Sequence, residues 1–349
     1  MTSLGAVLIV RNEAGRIEAC LASAIAAGVT VVTVVDTGST DDTRERVTDA
    51  CRGIELRRHR RPFVNFGQAR SEAFALARGS ADWLLALDAD MTVEIAQGFQ
   101  PDPELDAYMI EMHTEGLDYR LPLLLRGDLP WLSVGAVHEY TALATGGVGR
   151  RMPTDAVRVS YVHDPGSPEK ARFYARLLED EHAEQPDNPR TVYYLAQAYR
   201  GLGDPRAKGL YERRASMDGG EEAALAAYWA ACLEPDWPAQ ALALLRAWEM
   251  RPQRLEPLYD LVHGLNERGQ HLTAYRLATT LVGPCDDALP RWPGVYDWGM
   301  DFERSIAAWH VGEWAEAAAL NESLLANPRL PESVREAVQR NATLIAVLA

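Results

Sequence analysis

The chain has 349 residues, with 35 Lys and Arg against 50 Asp and Glu, and its formal net charge is −15. A surface this acidic excludes general binding to nucleic acid, because contacts to phosphates need clustered Lys and Arg. With 47% hydrophobic residues, the chain is long enough to form two domains that each have a core of their own.

The cysteine pattern and the apolar runs bear on the location of the protein. The four cysteines at positions 20, 51, 232 and 285 are scattered and form no CxxC pair, which favours reduced thiols in the cytoplasm. No stretch approaches the ~20 apolar residues of a transmembrane helix, and residues 1–10 lack the basic segment of a signal peptide. We therefore expect a cytoplasmic protein without a transmembrane segment.

The first half of the chain alternates strand and helix patterns. Continuous apolar runs predict strands that are buried on both faces, at residues 5–10, 29–35 and 81–87. Helical spacing predicts helices at residues 13–27, 41–51 and 67–78, and shorter strand patterns follow at 108–112 and 157–162. The basic run at 57–61 is expected to be a solvated strand edge. This order predicts a mostly parallel sheet of the Rossmann type with helices on both faces.

The composition changes after residue 167. From there the chain is rich in Ala, Leu, Glu and Arg, with helical spacing almost throughout. Turns between helices recur at Gly203, Asp236, Gly269 and Gly312. The first two spacings are 33 residues each, and the third is 43 residues. A period of this length is typical of tetratricopeptide-like helical hairpins. We therefore predict an α/β domain at residues 1–167, followed by an all-α tetratricopeptide-like domain at residues 168–349.

Polar clusters follow each of the predicted buried strands. Residues 11–13 follow the first strand, Asp36 ends the second, and Asp88 and Asp90 follow the third. In open α/β sheets, ligands bind outside the carboxyl ends of the strands. The chain has no Gly-rich phosphate loop of the form GxGxxG or GxxxxGK[ST]. A divalent cation held by the two aspartates would therefore have to balance the charge of a bound diphosphate.

Five stretches of the first half resemble family 2 glycosyltransferases with the GT-A fold. They are residues 10–13 (VRNE), 35–43 (VDTGSTDDT), 66–74 (FGQARSEAF), 82–90 (DWLLALDAD) and 137–139 (VHE). A catalytic domain of this kind, followed by tetratricopeptide-like helices, is similar to the bacterial peptide glycosyltransferases of glycocin biosynthesis and their relatives. The resemblance implies transfer of a hexose-type sugar from a nucleotide-sugar donor.

The resemblance also implies a role for each matching position. The nucleotide of the donor would lie against Val10, Asn12, Glu13, Asp36, Arg70 and Asp88. Mn²⁺ or Mg²⁺ would be bound by Asp90 and Asp88, with His163 as the third ligand and His138 as its alternative. Ser71 stands where many relatives have Asn. The donor is expected to be a UDP-sugar, with GDP- and dTDP-sugars as the alternatives.

An inverting transfer needs a group that takes a proton from the acceptor. The family commonly supplies it from an acidic motif downstream of the Asp-x-Asp, and this chain has His138 and Glu139 in that place. The resemblance therefore implies Glu139 as the base, with His138 as the alternative. Trp131, which precedes this pair, is expected to line the acceptor side.

Several alternatives stay open at this point. The acceptor is a peptide, a small natural product or a glycan, and the helical domain is expected to bind an acceptor, a partner or a second copy of the chain. A sugar nucleotidyltransferase would normally carry a Gly-rich, basic phosphate motif where residues 11–13 stand. A non-catalytic, peptide-binding repeat protein with a degenerate first domain would have no need of intact Asp88, Asp90 and Glu139.

Overall fold

The structure is a computed structural model that describes residues 2–114, 117–161, 167–280, 285, 289 and 291–348. The chain divides into two compact units, Met1–Pro186 and Asp187–Ala349. The first unit combines strands and helices and the second is helical, so the predicted fold classes are confirmed. In the described residues, no helix is long and apolar enough to cross a membrane.

Most strands of the first unit belong to one sheet. The strands are β1 Leu4–Val10, β2 Val29–Asp36, β3 Glu55–Arg60, β4 Trp83–Leu87, β5 Met91–Ile95, β6 Ala107–Thr114, β7 Leu117–Arg126, β8 Trp131–Val134, β9 Tyr140–Leu143 and β10 Arg151–Tyr161. Within the described ranges, the eight-stranded sheet has the order β3-β2-β1-β4-β7-β6-β10-β5, and β8 pairs with β9 separately. The neighbours from β3 to β4 are all parallel. The basic run lies on β3 at one end of this order, as expected of a strand edge.

In the part of the first unit that the structure describes, the helices are α1 Ile17–Ala26, α2 Thr43–Ala50, α3 Phe66–Ala77 and α4 Pro168–Glu184. Apolar residues of β1, β2 and β4 form the core between the sheet and the helices, since Leu8, Val32 and Leu85 are each 1% exposed or less. Asn65 caps α3, because its Oδ1 accepts the N–H of Gln68 at 2.8 Å. This cap starts α3 immediately before the Ala-Arg-Ser segment of the helix.

The register of the parallel strands explains where the polar clusters meet. Val10 of β1 is opposite Asp36 of β2, and Leu8 of β1 is opposite Leu87 of β4. The three strands therefore end at the same edge of the sheet. Residues 11–13, residue 37 and residues 88–90 leave the sheet side by side.

Helix α4 begins where the composition changes, yet it belongs to the first compact unit. Its Phe173 packs on Phe63 and Phe66 at ring-centroid distances of 5.8 and 6.4 Å, and Tyr174 packs on Phe66 at 5.7 Å. The first unit therefore extends beyond the predicted boundary at residue 167, because these aromatic contacts hold α4 on it.

The second unit is built from helical hairpins. Its α-helices are α5 Pro189–Gly201, α6 Arg206–Ala215, α7 Glu221–Cys232, α8 Trp237–Met250, α9 Glu256–Glu267, α10 His271–Ala278, α11 Met300–Val311, α12 Trp314–Ala326 and α13 Glu332–Leu348. The predicted turns all lie between paired helices, and Gly203, Gly269 and Gly312 adopt positive φ angles of 68°, 73° and 89° there. Glycine is favoured at such positions because it lacks the Cβ that clashes in the left-handed region. The predicted repeat is thus confirmed as a series of helix pairs.

Candidate active site

A cavity of about 770 Å³ opens at the carboxyl edge of the parallel strands. A cavity of this size is within the range that holds a whole small ligand. Most of the site residues predicted from the sequence line it, namely Val10, Asn12, Glu13, Arg70, Asp88, Asp90, His138 and Glu139. The structure thus brings together predicted residues from four separate segments of the chain.

Two of the predicted site residues that the structure describes, Asp36 and Trp131, do not line the cavity. Asp36 is 4% exposed, and its Oδ1 accepts the N–H groups of Gly38 and Ser39 at 2.8 and 2.7 Å. It therefore closes the turn after β2, and its neighbour Thr37 lines the cavity instead.

Trp131 is 3% exposed in the core, and its indole N–H donates to the carbonyl of Arg126 at 2.8 Å. Its ring packs inside the first unit and is not among the residues that line the cavity. The third predicted metal ligand, His163, lies outside the described residues.

The loop after β1 is held in shape by hydrogen bonds to the loop after β2. Asn12 has a positive φ of 56°, which Asn tolerates better than most residues. Its Oδ1 accepts the backbone N–H of Thr40 at 2.8 Å, while the N–H of Glu13 donates to Oγ1 of Thr43 at 2.7 Å. These bonds fix the backbone that presents Asn12 and Glu13 to the cavity. Burial raises the pKa of Glu13, and the charges of Asp90 and Asp88 raise it further against the opposing effect of Arg16.

Arg70 on α3 joins two sides of the cavity. Its Nη2 donates to Oδ1 of Asp88 at 2.7 Å, and its Nε donates to Oε1 of Glu139 at 2.9 Å. The side chains of Arg70 and Glu139 are 16% and 14% exposed, while Asp88 is 41% exposed. Burial opposes the charge of the guanidinium, but the two carboxylates outweigh this effect and raise the pKa of Arg70. One arginine therefore orients a residue of the Asp-x-Asp motif and the proposed base.

The two aspartates suit a hard divalent cation. Burial raises the pKa of Asp90, and the negative charge of Asp88 raises it further. The two carboxylates therefore repel each other, and a cation that binds both would relieve this repulsion. No group of three His, Cys, Asp or Glu side chains in the described ranges is arranged to hold a metal ion. Among the described residues, the candidate ligands for such a cation are the carboxylates of Asp88 and Asp90.

The loop Gly135–Glu139 between β8 and β9 packs closely against α3. A Cβ at Gly67 would lie 2.4 Å from the carbonyl oxygen of Gly135, so only glycine fits there. One turn further along α3, the Ser71 hydroxyl accepts the N–H of Ser133 at 2.9 Å and donates to its carbonyl at 3.1 Å. The hydroxyl group of Ser71 therefore binds the backbone of β8 in both directions.

His138 lies in the same loop with a positive φ of 54°. Of the non-glycine residues that the structure describes, only Asn12 and His138 adopt this conformation, and both line the cavity. A residue held in this region costs on the order of 1–3 kcal/mol, and such strain is concentrated at functional sites. The imidazole packs edge-on against Tyr174 of α4, with ring centroids 6.0 Å apart.

Helix α4 supplies a wall of the cavity that the sequence analysis missed. Lys170, Phe173 and Tyr174 line the cavity together with Phe63 and Phe66. The only sequence signal was the adjacent aromatic pair Phe173 and Tyr174, which lies beyond the predicted domain boundary. An aromatic pair on a helix is more often core than a binding surface, so the pattern alone did not point to the site.

Comparisons with known proteins find similarities for parts of the chain. Residues 6–96 match the model of glycosyl transferase family 2. A TPR repeat-containing protein of Synechococcus elongatus is 41% identical over 90 residues, which are 26% of this chain. The chain spans about a fifth of the length of that relative, since the matched segment covers 21% of it.

Solved structures resemble each half of the chain at low similarity. MamA is 17% identical over 47% of this chain and 92% of its own, with a TM-score of 0.34. Glucosyl-3-phosphoglycerate synthase from Mycobacterium tuberculosis, solved with Mn²⁺, uridine diphosphate and glucosyl-3-phosphoglycerate, is 20% identical over 32% of this chain and 44% of its own, with a TM-score of 0.24. The N-terminal part of the chain therefore contains a segment, residues 6–96, that matches glycosyl transferase family 2. It is followed by tetratricopeptide-like helical hairpins.

Proposed function

We propose that the protein is an inverting glycosyltransferase that transfers a hexose-type sugar from a nucleoside-diphosphate sugar to an acceptor hydroxyl, thiol or amide. The observation that supports this proposal is the shared cavity. It places the carboxylates of Asp88 and Asp90 and the His138-Glu139 pair around one space, with Arg70 between them. The match of residues 6–96 to glycosyl transferase family 2 supports the same activity.

The donor would lie between the loops after β1, β2 and β4. Asn12 and Glu13, on a backbone fixed by Thr40 and Thr43, would contact the nucleotide. Asp88 and Asp90 would hold Mn²⁺ or Mg²⁺, which would neutralise the charge of the leaving diphosphate. A UDP-sugar is the donor to test first. All four cysteines are free thiols, which is what a reducing compartment such as the cytoplasm would maintain.

Glu139 would accept the proton of the acceptor. As the acceptor atom forms its bond to the anomeric carbon, the bond from that carbon to the diphosphate oxygen breaks, and the acceptor proton passes to the carboxylate. Arg70 orients Glu139 through the 2.9 Å bond to Oε1. His138 is the alternative base, because it lies next to Glu139 and also lines the cavity.

The test measures release of UDP from UDP-sugars with Mn²⁺ or Mg²⁺, together with thermal shifts for donor binding. We expect Glu139→Gln to lower kcat by about 10²–10⁴-fold, which is the usual contribution of a general base, with little change in donor KM. Glu94→Gln is the matched control, because Glu94 is exposed on β5 away from the cavity.

Two outcomes would contradict the proposal. Full activity in excess chelator would exclude the metal-assisted mechanism. If Glu139→Gln weakens donor binding and leaves kcat unchanged, Glu139 belongs to the donor site and His138 becomes the base.

A further inference from the structure

The loop that carries His138 and Glu139 needs support, because its backbone is unusual. Gly135 has a φ of 113° and His138 a φ of 54°, so two of its five residues are in the left-handed region. Between them, Ala136 and Val137 are only 2% and 4% exposed. Water therefore has little access to the backbone groups of this segment, and protein groups have to bind them.

The backbone of Ala136 is bound from two helices. Its carbonyl accepts the N–H of Phe66, the first residue of α3, at 3.1 Å. Its N–H donates to Oε1 of Glu181, near the end of α4, at 2.9 Å. Glu181 lies 45 residues further along the chain and well outside the segment that matches glycosyl transferase family 2. A hydrogen bond to a carboxylate is stronger than one to a neutral acceptor, so Glu181 holds the loop firmly.

A single face of α4 makes both contacts to the loop. Tyr174 and Glu181 are seven residues apart, which places them two turns apart on the same side of a helix. Tyr174 packs on the imidazole of His138 with centroids 6.0 Å apart, while Glu181 binds the N–H of Ala136. Between them, Leu178 is 1% exposed and anchors this face in the first unit. The helix therefore fixes the loop at two points separated along its length.

We infer that Glu181 is a positioning residue, which places His138 and Glu139 for the transfer reaction through its bond to Ala136. This inference rests on the proposed function for its kinetic consequence. Glu181 is not among the residues that line the cavity. It acts through the loop backbone, and Arg70 holds the other end of the same loop through Glu139.

The experiment compares variants of the full chain by hydrogen–deuterium exchange and by kinetics with UDP-glucose and Mn²⁺. In Glu181→Ala, we expect the amide of Ala136 to exchange at least about tenfold faster, because it loses its acceptor. We expect kcat for UDP release to fall by about 10- to 100-fold, since a shift of about 1 Å in a catalytic group can cost 10²-fold. Donor KM should stay within about twofold.

Three further variants separate positioning from simple loss of charge or fold. Glu181→Gln keeps an acceptor oxygen and should restore most of the protection and of kcat. Glu181→Asp keeps the charge but shortens the side chain, and it should give an intermediate loss of protection and of kcat. If Glu181→Ala fails to fold, the Glu181→Asp variant still tests the inference. Asp180→Ala removes a carboxylate from the exposed side of the same turn and should change neither quantity.

Two results would overturn the inference. The first is wild-type exchange of the Ala136 amide in Glu181→Ala, and the second is an equal loss of kcat in Glu181→Ala and Asp180→Ala. If the wild-type chain turns over no nucleotide-sugar, the proposed function fails. The exchange rate of the Ala136 amide would then still decide whether Glu181 holds the loop.

Discussion

Replacing Arg70 by Met should destabilise the first unit measurably, because the change leaves two carboxylates without their shared cation. The ion pair with Glu139 is well shielded, at 16% and 14% exposure, and removing one partner of a buried pair costs about 3–5 kcal/mol. Asp88 is 41% exposed, so solvent screening reduces its share to about 1 kcal/mol or less. We therefore expect a loss of about 3–6 kcal/mol in the free energy of unfolding.

Urea unfolding and calorimetry would measure this loss. For a unit of this size, about 3 kcal/mol corresponds to a fall in Tm of roughly 6–12 °C. Arg78→Met is the matched control at the C-cap of the same helix, because Arg78 is exposed and its side chain donates only to the carbonyl of Asp128 among the bonds described. We expect the control to change the stability by about 1 kcal/mol or less.

A double variant tests the electrostatic explanation directly. If the loss comes from an uncompensated carboxylate, adding Glu139→Gln to Arg70→Met should recover part of the stability, as a double-mutant cycle would show. An Arg70→Met chain that unfolds within about 0.5 kcal/mol of the wild type would refute the reasoning. So would a double variant that is less stable than Arg70→Met alone.

Two further predictions concern the metal and the close approach of α3. Asp90→Asn should abolish Mn²⁺ binding, which electron paramagnetic resonance would measure, and retained binding would contradict the metal site. The same change should leave Tm unchanged or raise it. Burial and Asp88 raise the pKa of Asp90, so above that pKa its ionised form is unfavourable in the folded protein. Gly67→Ala should lower the stability by about 1–3 kcal/mol, since its Cβ would meet the carbonyl of Gly135 at 2.4 Å. Gly209→Ala in α6 meets no atom within 4 Å, so it should be neutral or stabilising by up to about 1 kcal/mol, and equal effects of the two changes would contradict the packing argument.

The buried strands of the first unit were predictable because each is a continuous apolar run. The runs at 5–10, 29–35 and 81–87 correspond to β1, β2 and β4, which lie side by side in the sheet. Polar residues directly after parallel strands of this kind leave the sheet at one edge. The apolar runs therefore predicted that residues 11–13 lie close to Asp88 and Asp90. The helical hairpins were predictable for a similar reason, since their turns recur at a fixed spacing.

The rest of the site depends on contacts that no local pattern contains. Asp36 ends a buried strand and Asp88 directly follows one, but the carboxylate of Asp36 turns inward to bind the N–H groups of Gly38 and Ser39. Nothing in the spacing distinguishes these two orientations. Phe63 and Phe173 are far apart in the chain and meet only when α4 packs on the first unit. The short strand β5 alternates buried and exposed residues over only five positions, which is too brief to predict reliably.

The packing of α4 decides where two chains of this architecture can be recombined. A junction at residue 167, where the composition changes, would replace Tyr174 and Glu181 by residues of a foreign helix and leave the loop at His138 without its native neighbours. A junction after Pro186 would exchange Asp187–Ala349 as an intact unit and leave the cavity unaltered. Modular exchange of repeat domains, in the laboratory or in evolution, is therefore least disruptive one helix downstream of the point that composition marks.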